Sequence, residues 1–201
     1  EQDEIILIAV ADCTGHGVPG AMVSVVCHNA LSRAVNEMKL TEPAKILDTS
    51  RELVVESLAT NNELITDGMD ISLCSWNPKT RELQWAGAYN PLYIVRNSNK
   101  DEIEVINADR QPVGAFVLAQ SFTNHVLTLE KDDIFYLITD GFQDQFGGED
   151  AKKFKVNPFR RLLIKMASEP ISNQSDMLDL AFQNWKGNSD QVDDICIIGI
   201  K

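Results

Sequence analysis

The apolar positions of this 201-residue chain fall into runs with two different periodicities. The first run, EIILIAVA from Glu4 to Ala11, is short, rich in branched residues and uncharged after its first residue. Such a continuous run predicts a strand that is buried on both faces. The run IFYLIT predicts a second heavily apolar strand, and VDDICIIGI predicts a last buried strand at the end of the sequence.

Helical spacing follows the first of these strands. Apolar residues between Val18 and Met38 predict a helix with one buried face. Thr41 and Pro43 predict the start of a second helix that runs to about Leu58. Two further helices are expected between the last two apolar strands. The residues expected on the buried face of the first helix are Met22, Val25, Val26, Ala30, Leu31, Ala34 and Val35.

The middle of the chain has the texture of an antiparallel sheet. Four short runs, MDISLCSW, ELQWAGA, PLYIVRN and IEVIN, predict strands at a spacing typical of meanders, and FTNHVLTL predicts another. Polar segments at 61–68, 111–114 and 143–150 are expected to be turns or loops. The order of strand, helices, many strands, helices and strand predicts an α+β fold with helices outside antiparallel sheets.

Composition narrows the function classes. The formal net charge is −12, from 30 acidic and 18 basic residues, which argues against nucleic acid as the main partner. The four cysteines form no CxxC pair and their spacing disfavours zinc, so we expect a reduced, cytoplasmic setting. No apolar run approaches the roughly 18 residues of a membrane span, and none is expected.

Three aspartates share one context. Asp12 and Asp140 each end a strongly apolar run, and Asp193 comes just before one. Because adjacent antiparallel strands end and begin at the same edge, these carboxylates are expected to converge at one rim, where Asp70 is a further candidate. Several carboxylates in one place repel unless a divalent cation neutralises them, and oxygen ligands suit magnesium or manganese. The alternative is that each aspartate bonds the backbone of its own turn.

A second hypothesis concerns Gly15-x-Gly17-x-x-Gly20, which matches the dinucleotide-binding fingerprint and lies between a strand and a helix. The dinucleotide-binding βαβ fold requires a parallel strand after the helix. Residues 41–58 predict another helix instead, so the sequence disfavours a dinucleotide site.

Several motifs resemble the SpoIIE-type branch of the metal-dependent protein serine/threonine phosphatases, the protein phosphatase 2C-like superfamily. The matching pieces are AVADCTGHGVPGAMVS, YLITDGFQDQFG and VDDICIIGI, with WAGAYNPLYIVR and PVGAF between them in the usual order. The resemblance implies a single domain over 1–201, an α-β-β-α sandwich of two antiparallel sheets. It also implies that the N-terminal strand or strands of this fold are lacking here.

The resemblance implies roles for residues in these motifs. Asp12 corresponds to the carboxylate that bridges two manganese or magnesium ions, and Cys13 would offer only its backbone carbonyl. Asp140 and Asp193 resemble the remaining ligands of the first metal. The three aspartates would thus be both metal ligands and catalytic residues. The implied mechanism is direct displacement, in which a water shared by the two metals attacks phosphorus in line.

Other positions have weaker counterparts. Asp194 resembles a neighbour that orients ligands or water, and Asp70, or less favourably Asp67, would serve a third metal ion. His16 lies four residues after the bridging aspartate rather than the usual two, so we interpret it as a turn or helix-start residue, with leaving-group protonation as the other reading. Arg110 is an untested option for phosphate binding.

One departure leaves two functions open. The family has a further metal-binding aspartate in a Gly-Gly-Asp-like strand upstream of the first motif, and the printed sequence lacks that segment. The first hypothesis is a phosphoserine/phosphothreonine phosphatase acting on a phosphorylated regulatory protein, as the C-terminal output of a longer chain with an upstream sensor domain, able to pair as a homodimer. The alternative is a catalytically inactive binding module of the same fold.

Overall fold

The computed structural model describes residues 4–59 and 66–201, and it forms two compact units. The first unit is Glu1–Leu92 with Asn107–Leu129, and the second is Tyr93–Ile106 with Glu130–Lys201. Most of the predicted turn at 61–68 lies outside the described residues.

The elements follow the predicted order. In chain order they are β1 (Ile6–Cys13), α1 (Gly17–Ser32) with a π-helical continuation (Arg33–Glu37), α2 (Pro43–Leu58), β2 (Gly68–Asn77), β3 (Glu82–Ala88), β4 (Leu92–Arg96), β5 (Asn99–Ile106), β6 (Val113–Gly114), β7 (His125–Thr128), β8 (Ile134–Ile138), α3 (Gly141–Asp144), β9 (Phe146–Gly147), β10 (Lys152–Lys153), α4 (Val156–Met166), α5 (Ile171–Lys186) and β11 (Ile197–Ile200).

The first unit is built on a five-stranded sheet in the order β1-β2-β3-β7, with the short β6 also paired to β2. β2 is antiparallel to β1, β3 and β6. Its side chains are buried over most of its length because it has neighbours on both sides. One core joins residues of α1 and α2 to this sheet, including Cys27, Leu47, Ile71 and Ala86.

The second unit has a four-stranded sheet in the order β11-β8-β4-β5 and a small β9–β10 hairpin. Every residue of the central β8 is buried, as its apolar run predicts. Its core gathers aromatic rings from strands and helices, including Tyr136, Phe142, Phe159 and Phe182. The predicted α+β class with two antiparallel sheets and flanking helices is confirmed.

The outer apolar strands differ from prediction. β1 spans Ile6–Cys13 rather than 4–11, and Val10 is its one fully buried residue. β11 has no fully buried residue. Burial on both faces was therefore the wrong prediction, because each strand has a single neighbour in its sheet. An apolar run of this length does not distinguish a central strand from an edge strand.

The predicted buried face of α1 is right for five of its seven residues and wrong for two. Ala30 and Ala34 are buried, and Val26, Leu31 and Val35 pack against the core. Met22 and Val25 are 68% and 59% exposed, whereas the buried residues are Gly20, Val23, Cys27 and Ala30. Apolar side chains surround much of this helix, so their periodicity does not fix one face. Small residues at the buried positions allow the helix backbone to approach its neighbours.

Two predicted loops contain short strands. Val113 and Gly114 pair with Met69 and Gly68 as β6. The polar segment after Asp140 forms the end of α3 and the β9–β10 hairpin. Two-residue strands are too short to produce a period-2 pattern in the sequence. Among the described residues, no helix has the length and apolarity needed to cross a membrane.

Candidate metal centre

In the first unit, Asp12 is the second-to-last residue of β1. It is directly opposite Asp70 on β2, and both residues are half-buried. Two acidic residues facing each other across antiparallel strands repel unless a positive group lies near. The strand register therefore places Asp70 beside Asp12 at the same end of the sheet, as predicted.

Thr14 fixes the chain just after Asp12. Its backbone N–H and its hydroxyl both donate to the Gly68 carbonyl, at 3.0 and 2.9 Å. The Gly68 N–H is in turn 2.9 Å from the Thr14 hydroxyl oxygen. The threonine therefore joins the end of β1 to the start of β2 and holds the loop that follows.

The glycines after Asp12 have separate physical reasons. Gly15 and Gly17 have φ of +88° and +65°, which L side chains rarely adopt. Gly20 lies against the Gly15 carbonyl, and a Cβ there would be 2.6 Å from that oxygen. The strand that follows α1 and α2 is β2, and it is antiparallel to β1. A dinucleotide-binding fold requires a parallel strand at this point, so the structure gives no support to that hypothesis.

The side chain of Cys13 is directed to another sulfur. Its thiol is hydrogen-bonded to that of Cys27 in α1, which lowers the pKa of Cys13 and raises that of Cys27. Both are free cysteines, and Cys13 packs against the apolar core of the first unit. This arrangement is compatible with the expectation that Cys13 offers only its backbone carbonyl to a metal.

In the second unit, Asp140 follows buried β8 and its neighbour Thr139 joins two distant segments. The Thr139 hydroxyl donates to the Asp194 carbonyl at 3.0 Å and accepts from the Cys196 N–H at 2.9 Å. The Thr139 N–H also donates to the Cys196 carbonyl at 2.9 Å. These bonds hold the segment around Asp193 beside the end of β8.

Gly141 explains why glycine follows Asp140. A Cβ at this position would be 2.3 Å from the carbonyl oxygen of Asp194 and 2.9 Å from its carbonyl carbon. Any larger residue would have to displace the backbone of the second acidic segment. The glycine therefore permits the close approach of the two segments that carry Asp140 and Asp193.

Electrostatics mark Asp140 as part of an acidic cluster. Burial raises the pKa of the Asp140 carboxyl, and the negative charges of Asp193 and Asp144 raise it further. Lys153, which pairs with Asp144 at 2.8 Å, partly offsets this effect. Asp193 itself is exposed, and its carboxylate accepts the Asp194 N–H at 2.8 Å.

Gln145 is a positioning residue that the sequence analysis missed. It is fully buried, and its amide nitrogen donates to the carbonyls of Phe146 and Asp190 at 2.9 and 2.8 Å. Its side-chain oxygen accepts the Val192 N–H at 3.3 Å. It thereby anchors the segment that leads to Asp193. A polar residue in a polar stretch carries no sequence signal for such burial.

Three weaker candidates from the sequence, His16, Asp67 and Arg110, are exposed or half-buried. His16 is the exposed N-cap position of α1 and makes no side-chain capping bond, which fits its interpretation as a helix-start residue. Asp67 is half-buried just before β2, and its negative charge helps raise the pKa of Cys27. Arg110 is exposed and lines a pocket near the end of β3.

The donor chemistry of both units fits a hard divalent cation. The first unit presents the half-buried carboxylates of Asp12 and Asp70 at a strand end, and the second unit presents half-buried Asp140. Burial and the negative charges of Asp193 and Asp144 raise the pKa of Asp140, and a cation would neutralise those charges. Carboxylate and carbonyl oxygens are the ligands that magnesium and manganese prefer.

The architecture and these acidic strand ends are those of a PP2C-type phosphatase domain. The family model described as Stage II sporulation protein E (SpoIIE) matches residues 2–201. The chain therefore belongs to the SpoIIE family, whose serine/threonine phosphatases are metal-dependent. The predicted family resemblance is confirmed.

Solved structures agree with this assignment. The SiaA-PP2C domain of Pseudomonas aeruginosa is 30% identical with a TM-score of 0.88, over 100% of this chain and 77% of that one. The RsbU and RsbW domains of a Mycobacterium tuberculosis protein match with 19% identity and a TM-score of 0.74, over 98% of this chain and 52% of that structure. RsbX in complex with magnesium matches with 17% identity and a TM-score of 0.67, over 99% of this chain and 82% of that one.

The last two similarities, being under a fifth identical, show the fold alone. A search of curated proteins found no match.

Proposed function

We propose that this domain is an active, manganese- or magnesium-dependent phosphatase of phosphoserine and phosphothreonine. In this proposal Asp12, Asp140 and Asp193 together hold two metal ions, and the Cys13 carbonyl supplies a further oxygen. The observation that carries the proposal is the acidic cluster around Asp140, whose pKa is raised by burial and by neighbouring carboxylates, on a chain of the SpoIIE family.

The chemistry follows from these side chains. Two bound divalent ions would supply water activation and neutralisation of the phosphate oxygens. Asp12, as a strand residue in register with Asp70, would hold its carboxylate in a fixed position. The Asp194 N–H bond to Asp193 would orient that ligand, which is the neighbour role expected for Asp194. No protein nucleophile is required, so the Cys13 thiol has no catalytic role in this scheme.

A third, weaker ion is proposed next to the first two. Asp70 is its preferred ligand because it is half-buried and opposite Asp12 in the strand register. Asp67, half-buried just before β2, is the second choice. Magnesium in the RsbX structure supports the metal class only by fold similarity.

The substrate is proposed to be a phosphorylated regulatory protein. The domain would act as the output part of a longer signalling chain, in the way that the Mycobacterium tuberculosis structure combines an RsbU domain with an RsbW domain. Pairing into a homodimer is part of the same proposal. The single-domain prediction over 1–201 also stays a prediction.

The test is manganese-dependent hydrolysis of p-nitrophenyl phosphate and a phosphoserine peptide by the purified chain. We expect Asp140→Asn to lower kcat at least 100-fold, because removal of one carboxylate weakens the metal site on which the water depends. Asp150→Asn is the control, since this exposed carboxylate pairs with exposed Lys152 and with no other residue among those that the structure describes.

Turnover that persists after EDTA treatment, or that Asp140→Asn leaves unchanged, would contradict the proposal. A chain that binds manganese but shows no turnover above that of Asp140→Asn would instead support the inactive binding module.

A further inference from the structure

A pocket in the first unit is not used by the metal chemistry proposed above. It has a volume of about 430 Å³ and lies where the chain leaves β3. Its lining residues are Tyr89, Pro91, Asn107, Ala108 and Arg110.

Tyr89 is held in an unusual backbone conformation at this pocket. Its φ is +57°, and the Asn90 N–H donates to the Ala88 carbonyl at 2.6 Å, which closes a γ-turn around it. This left-handed conformation costs a bulky residue roughly 1–2 kcal/mol. The Tyr89 N–H donates to the Asp109 carbonyl at 3.0 Å, which helps to hold this backbone conformation. The Tyr89 side chain is 45% exposed. Backbone strain of this kind clusters at binding and catalytic sites.

Arg110 brings an uncompensated positive charge to the pocket. It forms no hydrogen bond or ion pair within residues 4–59 and 66–201. The neighbouring Asp109 carboxylate is occupied by Thr123, whose N–H and hydroxyl donate to it at 2.7 and 3.1 Å. An unpaired, exposed guanidinium at a pocket is able to pair with the carboxylate of a ligand.

Asn90 adds a second polar irregularity between two lining residues. It is 5% exposed, and its side-chain nitrogen has no hydrogen-bond partner in the part of the chain that the structure describes. Buried donors are nearly always paired in native proteins, so an unpaired one beside a strained residue indicates a local conformation kept for binding.

The pocket residue Tyr89 follows the end of β3, and this strand end lies on the same side of the sheet as the end of β1 that carries Asp12. β1 and β3 are both antiparallel to β2, so they run in the same direction and end at the same edge. Asp12 is opposite Asp70, and Ala88 is opposite Ile71, so Tyr89 begins where the rung of Asp12 would continue. Two strand spacings are about 10 Å. An extended peptide covers that distance in about three residues.

We propose that this pocket binds an acidic side chain of the phosphopeptide substrate, about three residues from the phosphoserine. Arg110 would pair with the carboxylate, and the exposed Tyr89 ring would pack against the peptide. The inference rests on the proposed phosphatase function, because it takes Asp12 as part of the site that receives the phosphate.

The experiment uses two phosphoserine peptides and p-nitrophenyl phosphate as substrates. One peptide has glutamate at both positions three residues from the phosphoserine, and the other has glutamine at both. We expect the wild-type chain to favour the glutamate peptide about threefold in kcat/KM, which is the size expected of one exposed ion pair. Arg110→Ala should abolish this preference through KM and leave p-nitrophenyl phosphate hydrolysis unchanged, while Arg110→Lys should retain part of it.

Arg161→Ala is the matched control, since this exposed arginine lies on α4 in the second unit. It should keep the preference. Equal rates for both peptides with the wild-type chain would overturn the proposal. An Arg110→Ala variant that loses activity on all three substrates alike would also overturn it, because Arg110 would then act on the reacting phosphate.

A binding measurement separates this proposal from the proposed function. If no substrate is hydrolysed, the phosphatase proposal fails, and fluorescence anisotropy with the same two peptides and manganese still tests the pocket. Tighter binding of the glutamate peptide, lost in Arg110→Ala, supports the acidic subsite. Equal binding of the two peptides contradicts it.

Discussion

Two backbone carbonyls decide where this chain requires glycine near its acidic residues. The Gly15 carbonyl occupies the space of a Cβ on Gly20, and the Asp194 carbonyl occupies that of a Cβ on Gly141. The first glycines match a dinucleotide fingerprint that the rest of the sequence already disfavours, and the structure gives the physical reason for them: close packing at Gly20 and positive φ at Gly15 and Gly17. At Gly141 the consequence is a direct link between the two acidic segments of the second unit.

Substitution of Gly141 tests this link. We expect Gly141→Ala to lower the free energy of unfolding by about 3 kcal/mol, since the methyl group must displace the Asp194 backbone. Gly17→Ala is the control, because its Cβ meets nothing within 4 Å and only the positive φ is unfavourable, at about 1 kcal/mol. Urea unfolding followed by circular dichroism measures both, and equal losses would contradict the role of the carbonyl.

Asp133 is the most heavily bonded carboxylate in the second unit. Burial alone would raise its pKa, but the N–H groups of Asn97 and Glu130 and the Arg96 guanidinium outweigh burial and lower the pKa. The three bonds are 2.8, 2.9 and 2.9 Å long. A pKa lower in the folded than in the unfolded state stabilises the fold above about pH 4, and this stability is lost as pH falls through the folded-state pKa.

We therefore expect Asp133→Asn to cost about 2 kcal/mol at pH 7, because bonds to an ionised group are replaced by weaker ones. The difference between this variant and the wild type should shrink between pH 5 and pH 2, as measured by urea unfolding. Asp132→Asn, at an exposed position 3.9 Å from Lys201, should change stability little at any pH. A constant difference across that range would contradict the account.

At the scale of elements, the sequence predicts central structure better than edges. The run IFYLIT is buried as expected because β8 has a neighbour on each side. The similar run before Asp12 is an edge strand, and no local pattern distinguishes the two cases. The same limit applies to α1, where small residues rather than Met22 and Val25 face the core. Tertiary pairing, which a single sequence does not encode locally, makes both decisions.

Gln145 joins α3 and the β9–β10 hairpin to the segment before Asp193. We expect Gln145→Ala to leave the fold intact but to weaken manganese binding about tenfold, because residues 190–192 lose their anchor and Asp193 loses its position. Gln183→Ala is the control, as the side chain of this exposed glutamine of α5 bonds the Asp179 side chain and no other group in residues 4–59 and 66–201. Isothermal titration calorimetry measures the affinity, and unchanged affinity in Gln145→Ala would contradict a positioning role.

At the scale of the whole molecule, the motif order predicts the family more securely than any single residue does. Asp12, Asp140 and Asp193 stand out in the sequence as candidate ligands because each is the acidic residue beside an apolar run, and their role stays a prediction. Thr139 and Gln145, which hold the segments around Asp140 and Asp193 in place, do not stand out in the sequence. Their hydrogen bonds join segments that are about fifty residues apart along the chain, and Gln145 is a buried residue in a polar stretch. The proposed metal centre extends this account by assigning Asp12, Asp140 and Asp193 to the same ions.

The most direct test of that central claim is manganese titration of the wild type, Asp12→Asn and Asp140→Asn by calorimetry. Loss of either ligand should weaken binding at least tenfold, and the double variant should lose much less than the sum of the two effects, because residues that act on one site are not additive. Asp12→Asn that binds manganese as tightly as the wild type, or effects that simply add, would contradict a metal site that Asp12 and Asp140 hold together.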